Sequence, residues 1–447
     1  MPLRIILAIF GTLLLTAEPL KLPEPYQSIV DLAHSAPPEF AADALLRVVE
    51  SGKISDPEAR RDLVTQAFRL AASAKFKVRM RALPGSLVDT RSGYLRQAYD
   101  LKLDALSLQS RAALNMLAID KPTARELFLE IPRPALAALT CDDPLVYDPS
   151  DFYVTLGAVV NSSFSQKERD KQEHLNFLLD YLGQASSPAQ LAPLARVIKS
   201  AAVTPDQREL LQTRYNGLLE NMQADGRSYS VTMADISREI APGMGASFEK
   251  FQQRSARCTD DAAPNVTLQL KDGPVQAGST PHLHPYWEST EAKRLLEGSK
   301  KLRFGPGGNL LSDAERSTRE WQQQITDYLS ELAAWGPAQE KSEADYFHQK
   351  CVVYQALVEL IPPGPQRDQT LEAFVGFVGN SSLQQDSPVE WFMHVQSMLN
   401  RVRATNTGEP AKVLDALQAS GNPVLALYVA LEKAFTGNIP SWVPKTN

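Results

Sequence analysis

Cysteine is scarce in this 447-residue chain. Its three copies exclude the dense disulfide framework of a small secreted scaffold. Long apolar runs are missing after residue 17, so no later segment approaches the ~20 residues that span a bilayer. An excess of positive charge is also lacking. The 46 Lys and Arg are scattered among 52 Asp and Glu, for a net charge of -6. A polyanion-binding face clusters its cations, because each phosphate contact releases counterions, so nucleic acid is not an expected partner. Period-two alternation, the mark of half-buried strands, is confined to Val266 to Leu270. Catalytic motifs are missing too: there is no Gly-x-Ser-x-Gly elbow, no His-Glu-x-x-His and no phosphate-binding Gly-Lys-Ser/Thr loop. Gly305-Pro306-Gly307-Gly308 follows no strand and reads as a turn. No cofactor is expected.

What is present starts with an apolar run. Arg4 supplies a positive charge, and Ile5 to Ala17 is apolar apart from Gly11, Thr12 and Thr16. That length fits the apolar stretch of an export signal and falls short of a comfortable membrane span. Residues 1–17 are therefore expected to direct export, with cleavage after Ala17; an uncleaved anchor and an ordinary N-terminal helix are the alternatives. The product is expected in a periplasm or outside the cell, with no stable membrane span. In an oxidising compartment two thiols in polar loops can pair. Cys141-Asp142-Asp143 and Cys258-Thr259-Asp260-Asp261 share such a setting, whereas Cys351 stands in an apolar helical run. A Cys141–Cys258 disulfide is expected.

Most of the rest is patterned for helices. Residues 18–38 are punctuated by proline and read as a lead-in. Phe40, Ala44, Leu45, Val48 and Val49 then fall on one face at helical spacing, and Gly52 ends that helix. Asp56-Pro57-Glu58 starts the next, with a capping carboxylate, a proline suited to the first turn and an acid that complements the dipole. Ser187-Pro188-Ala189-Gln190, Thr204-Pro205-Asp206-Gln207 and Ser387-Pro388-Val389-Glu390 each combine a capping box with proline. Stripes of period near 3.6 run between these starts: Leu63, Ala67, Leu70 and Ala71; Leu191, Leu194, Ala195 and Ile198; Leu210, Leu211, Leu218 and Leu219; and Trp321, Ile325, Tyr328, Leu332 and Trp335. Tyr346 to Ile361 is apolar on nearly every side and should be a buried central helix. The expected fold is all-α: stacked antiparallel helical hairpins, α-solenoid-like, in two lobes. Residues 39–241 form the first lobe and 286–436 the second. The Gly-, Pro- and Ser-rich stretch 242–285 separates or bridges them, and 437–447 is a tail.

Leu106 to Ile131 resembles a tetratricopeptide-like hairpin. One helix carries Leu108, Ala112, Leu114 and Leu117, Asp120 opens the turn, and the second carries Ala124 and Phe128. The positions of that family's signature aromatics in the first helix hold Leu108 and Asn115, and no 34-residue period repeats elsewhere. The resemblance implies a helical-repeat architecture of the kind used to bind peptides or proteins, and it transfers no peptide-binding residue. The whole chain is also similar to a group of exported helical bacterial proteins of no assigned activity.

Six histidines and five tryptophans carry the remaining chemistry. His282-Leu283-His284 could chelate zinc with Asp260 or Asp261, but two imidazoles fall short of a ligand set, and two solvated loop histidines are the plainer reading. Asp31/His34 and Asp345/His348 place a carboxylate and an imidazole three apart, a spacing that also serves plain helix pairing. His348 and Cys351 have the spacing of a thiol–imidazole dyad, although burial of Cys351 would favour the inert thiol. Trp287 and Trp391 are the tryptophans expected at exposed sites. Sequons stand at Asn161, Asn265 and Asn380. The expected function is an exported helical-repeat binding or scaffold protein for a protein or peptide partner in the cell envelope. The alternative is a carbohydrate-active envelope enzyme, whose two acids sequence spacing does not reveal. Non-enzymatic binding is the preferred expectation, and the patterning carries no sign of an oligomeric state.

Overall fold

A computed structural model describes residues 22–83, 90–141, 143–235, 244–255, 258, 289–305, 307–340, 343–381, 388–403 and 409–435. The chain is predominantly helical. The first half holds α1 (Tyr26–Ala33), α2 (Pro38–Glu50), α3 (Pro57–Ala71), α4 (Thr90–Asp100), α5 (Ala105–Leu117), α6 (Lys121–Glu130), α7 (Ser150–Ser162), α8 (Gln166–Asp170), α9 (Glu173–Gly183), α10 (Leu191–Ser200), α11 (Pro205–Asn221), α12 (Ser228–Asp235) and α13 (Gly245–Arg254). The second holds α14 (Thr290–Lys300), α15 (Asp313–Arg316), α16 (Arg319–Ala334), α17 (Glu343–Leu360), α18 (Pro365–Asn380), α19 (Pro388–Arg403), α20 (Glu409–Ala419) and α21 (Pro423–Ala434). Two short strands, β1 (Met80–Arg81) and β2 (Val146–Tyr147), pair antiparallel, with Met80 opposite Tyr147. Nothing in the residue pattern announces them. Among the described residues no helix is long and apolar enough to cross a membrane.

Helix starts follow the residue chemistry. Asp56 accepts from the Glu58 amide at 3.1 Å ahead of α3. Thr204 and Gln207 close a reciprocal capping box on α11. Ser187 and Gln190 make the same exchange, but they open a 3-10 turn (Pro188–Gln190) that runs into α10. Each pairing satisfies amide groups that a helix leaves without an internal partner. Ser387 lies outside the described residues, as does the expected strand at residues 266–270. Gly52 ends α2 at φ 68°, the left-handed conformation that glycine adopts without cost.

The stripes mostly face inward, with corrections of a single helical position. α5 buries Leu108, Ala112 and Met116, four apart; Leu114 falls off that face and is exposed. α11 buries Leu211, Tyr215 and Leu219, and turns Leu210 outward. In both cases the i, i+4, i+8 row decides which leucine is inside. α5 and α6 form the expected hairpin, joined by Ala118 to Asp120.

Neighbouring helices pack in succession through α2, α3, α5, α7, α10, α11 and α13, and again through α17, α18, α20 and α21. Among the described residues further contacts join the halves: α4 packs on α19, and α1 and α2 pack on α21. Phe40 meets Phe392 edge-on at 5.1 Å across that junction. One hydrophobic core runs through both halves, from Tyr26 to Leu431.

Candidate functional site

Two places in this framework carry uncommon chemistry: a groove beside α11 and a buried polar cluster where α4, α17 and α19 meet.

The groove is open and shallow. It holds about 630 Å³ and is lined by Val203, Pro205, Arg208, Glu209, Gln212, Thr213 and Asn216. The α11 residues come at i, i+4 and i+8 (Arg208, Gln212, Asn216) and at i+1 and i+5 (Glu209, Thr213), so one helix side supplies most of the wall. Its core-facing row is anchored by Tyr215, whose hydroxyl donates to the Leu191 carbonyl at 2.9 Å. Arg208 fixes the corner between α10 and α11 by donating to the carbonyls of Ile198 (2.6 Å), Lys199 and Ala201 (2.9 Å each), the orphan acceptors at the end of α10. The groove thus has a hydrogen-bonded floor, with a carboxylate (Glu209), two amides (Gln212 and Asn216) and a hydroxyl (Thr213) along its wall.

The second place follows from α17 being buried nearly all round. Polar residues on such a helix have no solvent to face, and His348, Gln349, Lys350 and Gln355 are all buried. His348 Nδ1 lies 2.7 Å from Nε2 of His394, which is fully buried on α19. Gln355 Nε2 lies 3.3 Å from Nδ1 of His394. On the outer side His348 Nε2 is 3.7 Å from Glu390 Oε2. Burial, then the neighbouring His348, holds the His394 pKa well below the usual imidazole value. The α4 side presents Tyr99, whose phenol is pushed up to about 12, chiefly by burial and then by the Glu390 charge. Lys350 points elsewhere. Its ammonium donates to the Trp335 carbonyl at 2.8 Å and to the Tyr346 hydroxyl at 2.9 Å, and so caps the end of α16; burial draws its pKa down to about 8.

A second cavity, between α2, α19 and α21, has room for about one water at 20 Å³. Its walls are mostly apolar, with Asp43, Arg47 and Gln396 as polar members. Nearby, Asp104 caps α5, accepting from the Ser107 amide at 3.0 Å, while its Oδ2 is buried without a partner. Burial raises its pKa to about 6, so the folded chain binds more protons than the unfolded one between about pH 4 and pH 6. Stability therefore falls as pH rises through that window. Asp104→Asn keeps the cap. It is expected to raise stability at pH 7 by about 1–2 kcal/mol, less than the full titration cost because the amide leaves its own N–H unpaired. Denaturant unfolding at pH 7 and pH 4 checks this, and a gain that is the same at both values would contradict the assignment.

Of the residues singled out in the sequence, Cys141 and Cys258 are joined by a disulfide. It ties the segment between α6 and α7 to the end of α13. Gly226 sits at the same point, where a Cβ would come within 2.8 Å of the backbone at Thr140 and Cys141, so only glycine fits this close approach. Arg227 Nε donates to the Asp143 carbonyl at 2.8 Å and holds the two loops together. His282, His284 and Trp287 lie outside the described residues. Among the described residues no three His, Cys, Asp or Glu side chains converge as a metal site. Asp31 accepts from Gln27 at 2.9 Å, and His34 is exposed at the end of α1. Cys351 is fully buried and free of disulfides. Trp391 is not at an exposed site. It is 1% exposed, its indole donating to Ser381 Oγ at 2.8 Å, because α19 turns Trp391, Val395, Met398 and Leu399 to the core. Sequence reasoning passed over His394 and Gln355, and read Glu390 only as a capping residue. A histidine amid Trp391, Phe392, Met393 and Val395 was the available sign, but its partner is 46 positions away.

No protein-family model, no curated protein and no solved structure matches the chain.

Proposed function

We propose that this protein is an exported helical scaffold that binds a protein or peptide segment along the α11 groove. The groove's form carries the reading: it is open and shallow, with one acid, one base and several neutral hydrogen-bonding groups. Extended polypeptide offers alternating N–H and C=O groups, which amides, hydroxyls and carboxylates on one helix side can engage. Export is supported by the Cys141–Cys258 bond, since a structural disulfide persists in oxidising compartments and is rare in the cytosol. A glycosidase would need two acids facing a cleft that admits a sugar. The groove contributes one acid, Glu209, and the cleft between α2, α19 and α21 contributes one, Asp43, which is committed to Arg47 and Arg111.

Affinity capture from the native envelope tests the proposal, with the full chain as bait beside a Thr213→Arg variant that fills the groove. The expected result is a discrete protein recovered by the parent chain and reduced about tenfold or more by the variant, the loss of roughly 1.4 kcal/mol of contact. Recovery of polysaccharide, or of the same proteins by both baits, would overturn it.

A further inference from the structure

We propose that the chain of contacts Gln355–His394–His348–Glu390 is a proton-operated latch that holds α19 against α17. The argument begins with the two rings. An N···N separation of 2.7 Å between imidazoles requires one hydrogen between them, and only one. With the Gln355 amide donating to Nδ1 of His394, the hydrogen stands on Nε2 of His394, and His348 Nδ1 accepts. His348 Nε2–H then faces the Glu390 carboxylate. Every ring is neutral in that arrangement, and every donor points outward from the core.

One added proton can be absorbed without breaking the contact. His348 becomes the imidazolium and donates from Nδ1 to Nε2 of His394. The His394 hydrogen then stands on Nδ1, and the Gln355 amide turns over so that Oε1 accepts it. That oxygen is buried without a hydrogen-bond partner in the neutral arrangement, so the reversal gives it one. The charge comes to rest beside Glu390, which is half-buried. A second proton has no such place. It would put N–H groups on both facing nitrogens at 2.7 Å, with the His394 charge in the core, and the rings must part.

From α4, Tyr99 faces Glu390 and adds no positive charge. From α18, Phe377 stacks on Phe347, whose ring meets His394 edge-on. On the adjoining α20 and α14, Lys412 pairs with Asp368, Asp415 with Lys433, and Arg294 with Glu291 and Glu331. The sign is fixed by burial. His394 is neutral in the fold and titratable when released, so the contact loses strength as pH falls below the ordinary imidazole value of about 6.5.

Hydrogen exchange of the α19 amides in the full chain, corrected for intrinsic rates, tests the latch. The readout is local because burial also lowers the pKa of His174 on α9, which would contribute to any global measure. Protection of α19 is expected to fall about tenfold or more between pH 7 and pH 5, up to one decade per pH unit for one proton. His394→Gln, which can still accept and donate, is expected to flatten that fall to about twofold or less. A pH-independent α19 in the parent chain, or the same fall in His394→Gln, would overturn the proposal. Should the variant fail to fold, nitrogen spectra of the parent histidines decide. The His394 ring must read as the neutral Nε2–H form at pH 7 and become charged over the interval in which α19 loses protection. A charged His394 at pH 7, or charging outside that interval, would contradict the latch.

Discussion

Loss of the Cys141–Cys258 disulfide, by reduction or by paired substitution with serine, is expected to lower the unfolding free energy by about 4–5 kcal/mol. The bond closes a separation of 117 residues, and the entropy it removes from the unfolded chain grows with the logarithm of that length. The folded state adds a local reason. Gly226 lies against the Thr140–Cys141 backbone so closely that the two segments cannot slide, and the Leu139 amide donates to Asp225 at 3.1 Å beside them. These contacts stay in register without the disulfide, so the loss should appear mostly as destabilisation of the whole fold. Denaturant midpoints with and without reductant measure it. A shift equivalent to under about 1 kcal/mol would mean that loop closure contributes little here. The same comparison bears on location: a chain that depends on this bond is poorly suited to a reducing compartment.

Arg111→Met is expected to cost about 3 kcal/mol or more, the second large effect. The guanidinium of Arg111 on α5 donates to Asp43 at 2.7 Å and to Glu50 at 2.6 and 2.5 Å, both on α2. Arg47 completes the charge around Asp43 at 2.8 Å, and Asn115 donates to Glu50 at 2.8 Å. Asp43 is the critical member because it is only 6% exposed. Methionine would leave that carboxylate with a single cation in a site that water scarcely reaches. Glu50 is more open, so its share is smaller. The effect should be non-additive. Arg111→Met combined with Asp43→Leu is expected to be more stable than Arg111→Met alone, since the pair is replaced by apolar contact instead of being broken. Equal or greater destabilisation in the double variant would show that the network contributes packing and not charge compensation.

These contacts also mark how far the sequence was legible. Periodicity and capping were read locally, and local physics governs them. Asp56, Thr204 with Gln207, and the α5–α6 hairpin stand where residue preferences place them. Periodicity blurs at neighbouring positions, so Leu114 and Leu210 were assigned to core stripes from which the packed helix turns them away. Trp391 shows the opposite error: its indole was expected at an exposed site, yet its N–H found acceptors at Val378 and Ser381 within the core. The polar cluster was the least legible. His348 drew notice for Asp345 and Cys351, three positions away on either side, whereas its close partner is His394 on another helix. Glu50 and Arg111 are likewise 61 positions apart. Pairings of that range are decided by which helices meet, and one chain's composition does not encode it. The α11 groove has a similar history: capping predicted the helix, but only the turn fixed by Arg208 shows which side is left open.

Photo-crosslinking in the native envelope tests the central claim most directly, with a photoreactive side chain at Gln212 in the groove and a control at Gln322 on the exposed side of α16. The account predicts a discrete protein adduct from position 212, absent from position 322 and suppressed by Thr213→Arg. Polysaccharide adducts, equal labelling from both positions, or no adduct from position 212 would contradict it.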